Sequence, residues 1–152
     1  SSGMPDLTGL SISDVATAST LTLAADTISV INYTGAAACT ATLPAATAGT
    51  IVVYCQSKDT TGGTATLVFD AAGSDVWATG SVIESRASNE VTFDTSAASE
   101  TKLTFTPANA ATNLLTTGGQ IAFICYEDAT WHIATKLAAE TTQVTGAFVF
   151  AA

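Results

Sequence analysis

The sequence predicts an all-β domain: a β-sandwich, jelly-roll-like, of about ten short antiparallel strands, with an extended N-terminal arm. Three observations carry that prediction. Short runs rich in threonine, valine, isoleucine and phenylalanine recur along the chain, many alternating with the period of two that a half-buried strand requires. The separators are turn chemistry, as in DTTGG (59–63), DAAGSD (70–75) and TTGG (116–119). Helical periodicity is weak, and only ANAATNLL (108–115) and KLAAE (136–140) are candidates for a turn or two of helix.

Residues 1–19 are small and polar, with isolated Leu7, Leu10, Ile12 and Val15. They read as an extended arm that engages a partner rather than the domain's own core, with Leu7, Leu10 and Ile12 as the contacts. Ser1 to Gly3 ahead of Met4 read as an expression scar, and no basic-then-apolar leader is visible. The β domain is expected over 20–152, without a defensible internal repeat.

Within the domain, the runs are LTL (21–23), TISVINYT (27–34), CTATL (39–43), TIVVYCQS (50–57), TATLVFD (64–70) and DVWATGSVI (75–83). EVTFD (90–94), KLTFT (102–106), QIAFICYE (120–127), TWHIATKL (130–137) and QVTGAFVF (143–150) follow. TATLPAATAGTIVVY (40–54) reads as a β-hairpin. Pro44 has no N–H for a sheet ladder and ends its first strand, and Gly49 permits a positive φ at the start of the second. Folding about Thr47 sets Cys39 opposite Cys55. IVVYC and IAFICY are apolar on both faces, as central strands are. The chain closes on GAFVFAA, with Phe148 and Phe150 on one face. A loose apolar end is costly, so Val144, Phe148 and Phe150 are expected at a contact between subunits, with burial in the chain's own core as the alternative.

The chain has 152 residues and a formal net charge of −9, from 13 acids against four cations. Lys58, Arg86, Lys102 and Lys136 are too few and scattered to neutralise a run of phosphates, which argues against nucleic acid and an anionic membrane as partners. No stretch has the roughly 18 uninterrupted apolar residues of a membrane span. Charged residues are only 11%, well below the usual quarter, which suits a protein that buries surface in an assembly.

Chemistry is sparse. No catalytic residue, metal site or cofactor is expected. His132 is the only histidine and alternates out of phase with Trp131 and Ile133, which reads as a surface or interface side chain. Asp70 with Asp75, and Glu127 with Asp128, read as solvated turn residues without an EF-hand pattern. The three cysteines, Cys39, Cys55 and Cys125, lack CxxC spacing and read as reduced thiols, a Cys39–Cys55 disulfide being the alternative. GGQ (118–120) is read as coincidence, and the NYT sequon at Asn32 as part of a strand. Trp131 reads as core. Trp77 and Tyr33 are the candidates for a ligand-facing pair in a second reading, a receptor- or carbohydrate-binding module of a phage fibre or spike.

From Leu21 to Ile133 the chain resembles the small decoration (cement) proteins on the heads of tailed bacteriophages, marine phages in particular. The motifs are TLTLAADTISVINYTG, TATLPAATAGTIVVY, a glycine-rich turn before TATLVFD, and a late DATWHIAT strand. Residues 76–115 match only in style. The resemblance implies a β-rich subunit, often trimeric, on the outer capsid surface of the virion, assembled in the host cytoplasm. Its partners would be the major capsid protein and itself, clamping neighbouring capsomers, with no catalytic residues to carry over.

Overall fold

The computed structural model describes residues 9–15, 19–60, 63–87, 91–107, 113–114, 119–135, 139–141 and 148–152. Strands dominate the described residues and no helix is present among them, so the all-β expectation holds. The described parts of the two candidate helical turns are extended. Asn113–Leu114 and Ala139–Thr141 are strands, and their neighbours 108–112 and 136–138 lie outside the described residues.

Among the described residues, fifteen strands form three sheets in a sandwich-like arrangement without a closed barrel. The chain alternates between the first two sheets as it proceeds. β1 (Gly9–Val15), β3 (Thr27–Tyr33) and β5 (Ile51–Gln56) enter the first sheet, while β2 (Ser19–Thr22), β4 (Cys39–Thr42) and β6 (Leu67–Asp70) enter the second. β1, β3 and β5 pair in parallel, as do β2, β4 and β6. The first part of the fold is therefore three stacked coils, each contributing one strand per sheet. The sheets are mixed, which corrects the antiparallel expectation.

Two further corrections follow. The 40–54 segment is not a hairpin. Its strands lie in different sheets, and the loop between them is an arch that crosses the sandwich. The physical reason is that β4 is flanked by β2 and β6, and β5 by β3 and β12 (Gln120–Glu127), so neither has a free edge for the other. The N-terminal arm is corrected too, because residues 9–15 pair in register with β3 along their whole length. Leu10 stands at the level of Ile28 and Ile12 at that of Val30, within the chain's own sheet. Leu7 lies outside the described residues.

The first sheet continues through β12 and β13 (Thr130–Thr135) to the two-residue β7 (Val76–Trp77). The second continues from β6 through β10 (Lys102–Phe105) to β15 (Phe148–Ala151). The third holds β11 (Asn113–Leu114), β14 (Ala139–Thr141), β8 (Val82–Ala87) and β9 (Val91–Thr95). It sends the fully buried Ile83 into the common core.

Aromatic side chains fill the space between the two large sheets. Phe69 lies 5.0 Å from Tyr54 and 5.2 Å from Phe123, Trp77 lies 5.4 Å from Phe123 and 6.0 Å from Phe150, and Phe105 lies 5.1 Å from Phe148, all centroid to centroid. Their edge-on and tilted geometries add about 0.5–1.5 kcal/mol per pair beyond burial. One buried amide is fully satisfied inside this apolar layer. Gln56 accepts from the Tyr54 hydroxyl at 2.5 Å and donates to the carbonyls of Tyr33 and Lys58, each at 2.7 Å. Where the β3–β4 turn meets the loop before β6, the backbones touch. A Cβ on Gly63 would sit 2.1 Å from the Gly35 carbonyl oxygen, and its φ of +121° is one that only glycine adopts freely.

Candidate functional site: the outer face of the first sheet

The strands of the first sheet alternate strictly between buried and half-buried positions. Residues that face inward are Ile31, Tyr33, Val52, Tyr54, Phe123 and Trp131. What lies on the other face is unusual for a sandwich, where the outward side of a strand is ordinarily polar. On β3 the outward positions are Ile28 and Val30, while the small polar Thr27 and Ser29 are turned inward. On β5 they are Ile51, Val53 and Cys55, and on β12 Ala122 and Ile124. The register assembles them into one surface: Ile28 beside Val53 beside Ala122, and Ile51 beside Ile124 beside His132. Asn32, Gln120, Tyr126, Thr130 and Ala134 complete it, and among the described residues of β3, β5, β12 and β13 its one formal charge is the exposed Glu127, at the end of β12 opposite Thr130.

The contrast with the second sheet is direct. Its outward positions are mostly threonine and charge, Thr20, Thr22, Thr40, Thr42 and Thr104 with Asp70 and Lys102, and the apolar ones are Val68 and Val149. Threonine hydroxyls and charges suit water, whereas an aliphatic layer does not. Four strands about 4.8 Å apart, each with three outward residues about 6.8 Å apart, give a plane of roughly 400 Å². Its apolar part is Ile28, Val30, Ile51, Val53, Cys55, Ala122 and Ile124, all half-buried, and contiguous apolar surface on a protein is often functional. At one end Tyr126, 67% exposed, lays its ring 4.6 Å from His132. His132 therefore occupies the surface position expected of it, and its Nε2 is buried beneath neighbouring atoms without a hydrogen-bond partner.

Two of the four acids expected to be solvated turn residues, Asp75 and Asp128, have structural partners. The Asp75 carboxylate accepts from the Ala46 N–H at 2.7 Å, and that of Asp128 from the Ala48 N–H at 2.9 Å. Gly49 N–H donates to the Cys125 carbonyl at 2.8 Å, closing the arch onto the start of the β12–β13 turn. The sequence places all these groups in separate turns, and only the fold brings them to one corner. Among the described residues no group of three or more histidine, cysteine, aspartate or glutamate side chains is placed to hold a metal ion.

Cys39, Cys55 and Cys125 are free thiols. Cys39 faces the core from the second sheet while Cys55 faces outward from the first, so the two side chains point to different layers. Burial pushes the Cys39 thiol up to about 11 and raises Cys125 as well. Tyr33 and Tyr54 are raised above the phenol range, first by burial and then by the neighbouring Cys39.

Neither aromatic of the ligand-facing pair is available to a ligand. Trp77 is 1% exposed and Tyr33 is fully buried, its hydroxyl donating to the Ala65 carbonyl. The subunit-contact residues are corrected similarly. Phe148 and Phe150 are buried in the chain's own core because β15 closes the second sheet against β10, and Val149 is the exposed member of the strand. Val144 lies outside the described residues. Sequence reading missed the outer face because it took the double-sided apolarity of IVVYC and IAFICY as a sign of burial on both sides. The signal that could have found it is the inverted alternation in β3.

No protein family, no curated protein and no solved structure matches the chain.

Proposed function

We propose that this protein is a structural virion subunit that decorates the outer surface of a tailed-phage head, docking on the major capsid protein through the outer face of its first sheet. The observation that carries this reading is the aliphatic centre of that face, formed by Ile28, Val30, Val53 and Ile124, with the charge of Glu127 confined to one end of it. Such a surface gains free energy by removal from water, at about 25 cal/mol per Å². A flat, stiff sheet suits a broad protein surface better than a small molecule, which prefers a concave site. The motifs shared with head decoration proteins support the same reading. In this role the remaining acidic surface, net charge −9, faces solvent and stays off nucleic acid.

The test is co-sedimentation with undecorated heads of the phage that encodes the sequence. The variants Val53→Lys and Ile124→Lys place charges on the docking face, and Thr104→Lys places one on the second sheet's outer side. The expected result is that Thr104→Lys binds as the parent protein does, while the two face variants keep their circular dichroism and lose the heads. Face variants that bind normally, or a parent protein that ignores the heads, overturn the proposal.

A further inference from the structure

Among the described residues, six strands end the three sheets: β1 and β7, β2 and β15, β9 and β11. A terminal strand is an open template for another chain unless it is short, charged or covered. β7 and β11 are two residues each. β15 and β9 protect one another, since the Asp94 carboxylate of β9 accepts from the Phe150 N–H at 2.6 Å. What remains is the first coil, β1 and β2, side by side at one end of the sandwich. β1 is seven residues long, GLSISDV, and pairs with β3 without a bulge. It has no proline and no lysine, and β2, STLT, has no charge.

We propose that β1 pairs antiparallel with β1 of a second copy of this chain, joining two six-stranded sheets edge to edge. The choice of occupant follows from the edges themselves. A head-to-tail contact would set the first coil of one copy on the far end of another, but the strands at that end, β7 and β15, are short or capped. Among the described residues, only the contact of the first coil with itself has two open edges, and such a contact closes at two copies. Electrostatics agree. A chain of net charge −9 repels its own copies, yet β1 and β2 together carry one charge, Asp14. In an antiparallel pairing centred on Ile12, Asp14 stands opposite the partner's Leu10. The two Asp14 positions are then about four residues apart along the strands, about 14 Å, beyond the screening length of about 8 Å at physiological salt. The two-fold axis stands perpendicular to the sheet, so the outer faces of both copies lie on the same side and form one continuous surface. The pairing itself does not depend on what that surface binds.

Sedimentation equilibrium and amide hydrogen exchange on the intact chain test the proposal. The expected result is a dimer that dissociates on dilution, with amides of β1 slow to exchange when dimeric and fast when monomeric. Ile12 is the central position of the pairing, and Ile12→Lys brings one positive charge from each copy to the axis; it is expected to abolish the dimer while leaving circular dichroism unchanged. A protein that is monomeric at all concentrations, or trimeric, overturns the proposal. So does concentration-dependent protection in β5 and β12 instead of β1, which is the mark of stacking through the sheet face. If Ile12→Lys fails to fold, the exchange pattern of the parent protein decides alone.

Discussion

The Cys39 thiol shows how burial alone sets chemistry in this protein. It sits on β4, 1% exposed, and its ionisation is pushed from an ordinary 9.0 to about 11 because a thiolate there would have no water around it. In the unfolded chain the same thiol ionises near its ordinary value. Between pH 9 and 11 the unfolded state therefore sheds a proton that the native state keeps, and rising pH favours unfolding. The stabilisation is complete below pH 9 and is lost as pH climbs through 11, with Tyr33 and Tyr54, also raised by burial, acting in the same direction above their ordinary 10.0. Thermal melts are expected to be flat from pH 7 to 8.5 and to fall steadily beyond 9, with a shallower fall in Cys39→Ala. A melting temperature constant up to pH 11 would contradict this account.

At the scale of elements, the arch between β4 and β5 is the piece that decides the topology. Leu43 and Ala46 are buried within it, and its N–H groups are taken up by Asp75, Asp128 and the Cys125 carbonyl rather than by a partner strand. Charge-assisted hydrogen bonds of this kind contribute about 1.5–3 kcal/mol when the donor is sheltered and less at the surface. Asp75→Ala, whose bond is the more sheltered, is expected to lower unfolding free energy by about 1–3 kcal/mol, and Asp128→Ala by about 1 kcal/mol, in urea titrations. Equal stability of both variants and the parent would show that the arch is held by packing alone. The turn chemistry was legible in the sequence, in Pro44, Gly49 and the acids of neighbouring loops. Whether that turn lay in the plane of a sheet or crossed between two was not, because a hairpin and an arch share the same strand–turn–strand signal.

On the scale of the whole molecule, the core is one aromatic layer that runs from Tyr33 and Phe105 through Phe69 and Phe123 to Trp77 and Phe150. The C-terminal strand is thus part of the protomer. Phe150→Ala is expected to cost about 3–5 kcal/mol of stability in denaturant titrations, as for other buried aromatics. It is expected to leave the oligomeric state of the folded fraction unchanged. A folded variant that merely dissociates would return Phe150 to a subunit contact.

By itself the sequence determined the class of fold, through the alternation of Leu67 with Phe69, Leu103 with Phe105 and Trp131 with Ile133, and through threonine's preference for a pleated surface. It also determined the scarcity of charge. Both are local properties, written in neighbouring residues. Only the tertiary structure decided that β1 to β6 stack in parallel, that residues 9–15 join a sheet, that Trp77 is buried, and which side of IVVYC faces out. The physical reason is that a strand's pairing partners and its covered face are set by contacts between residues far apart in the chain. Ile28 and Val53 become one surface only when β3 lies beside β5.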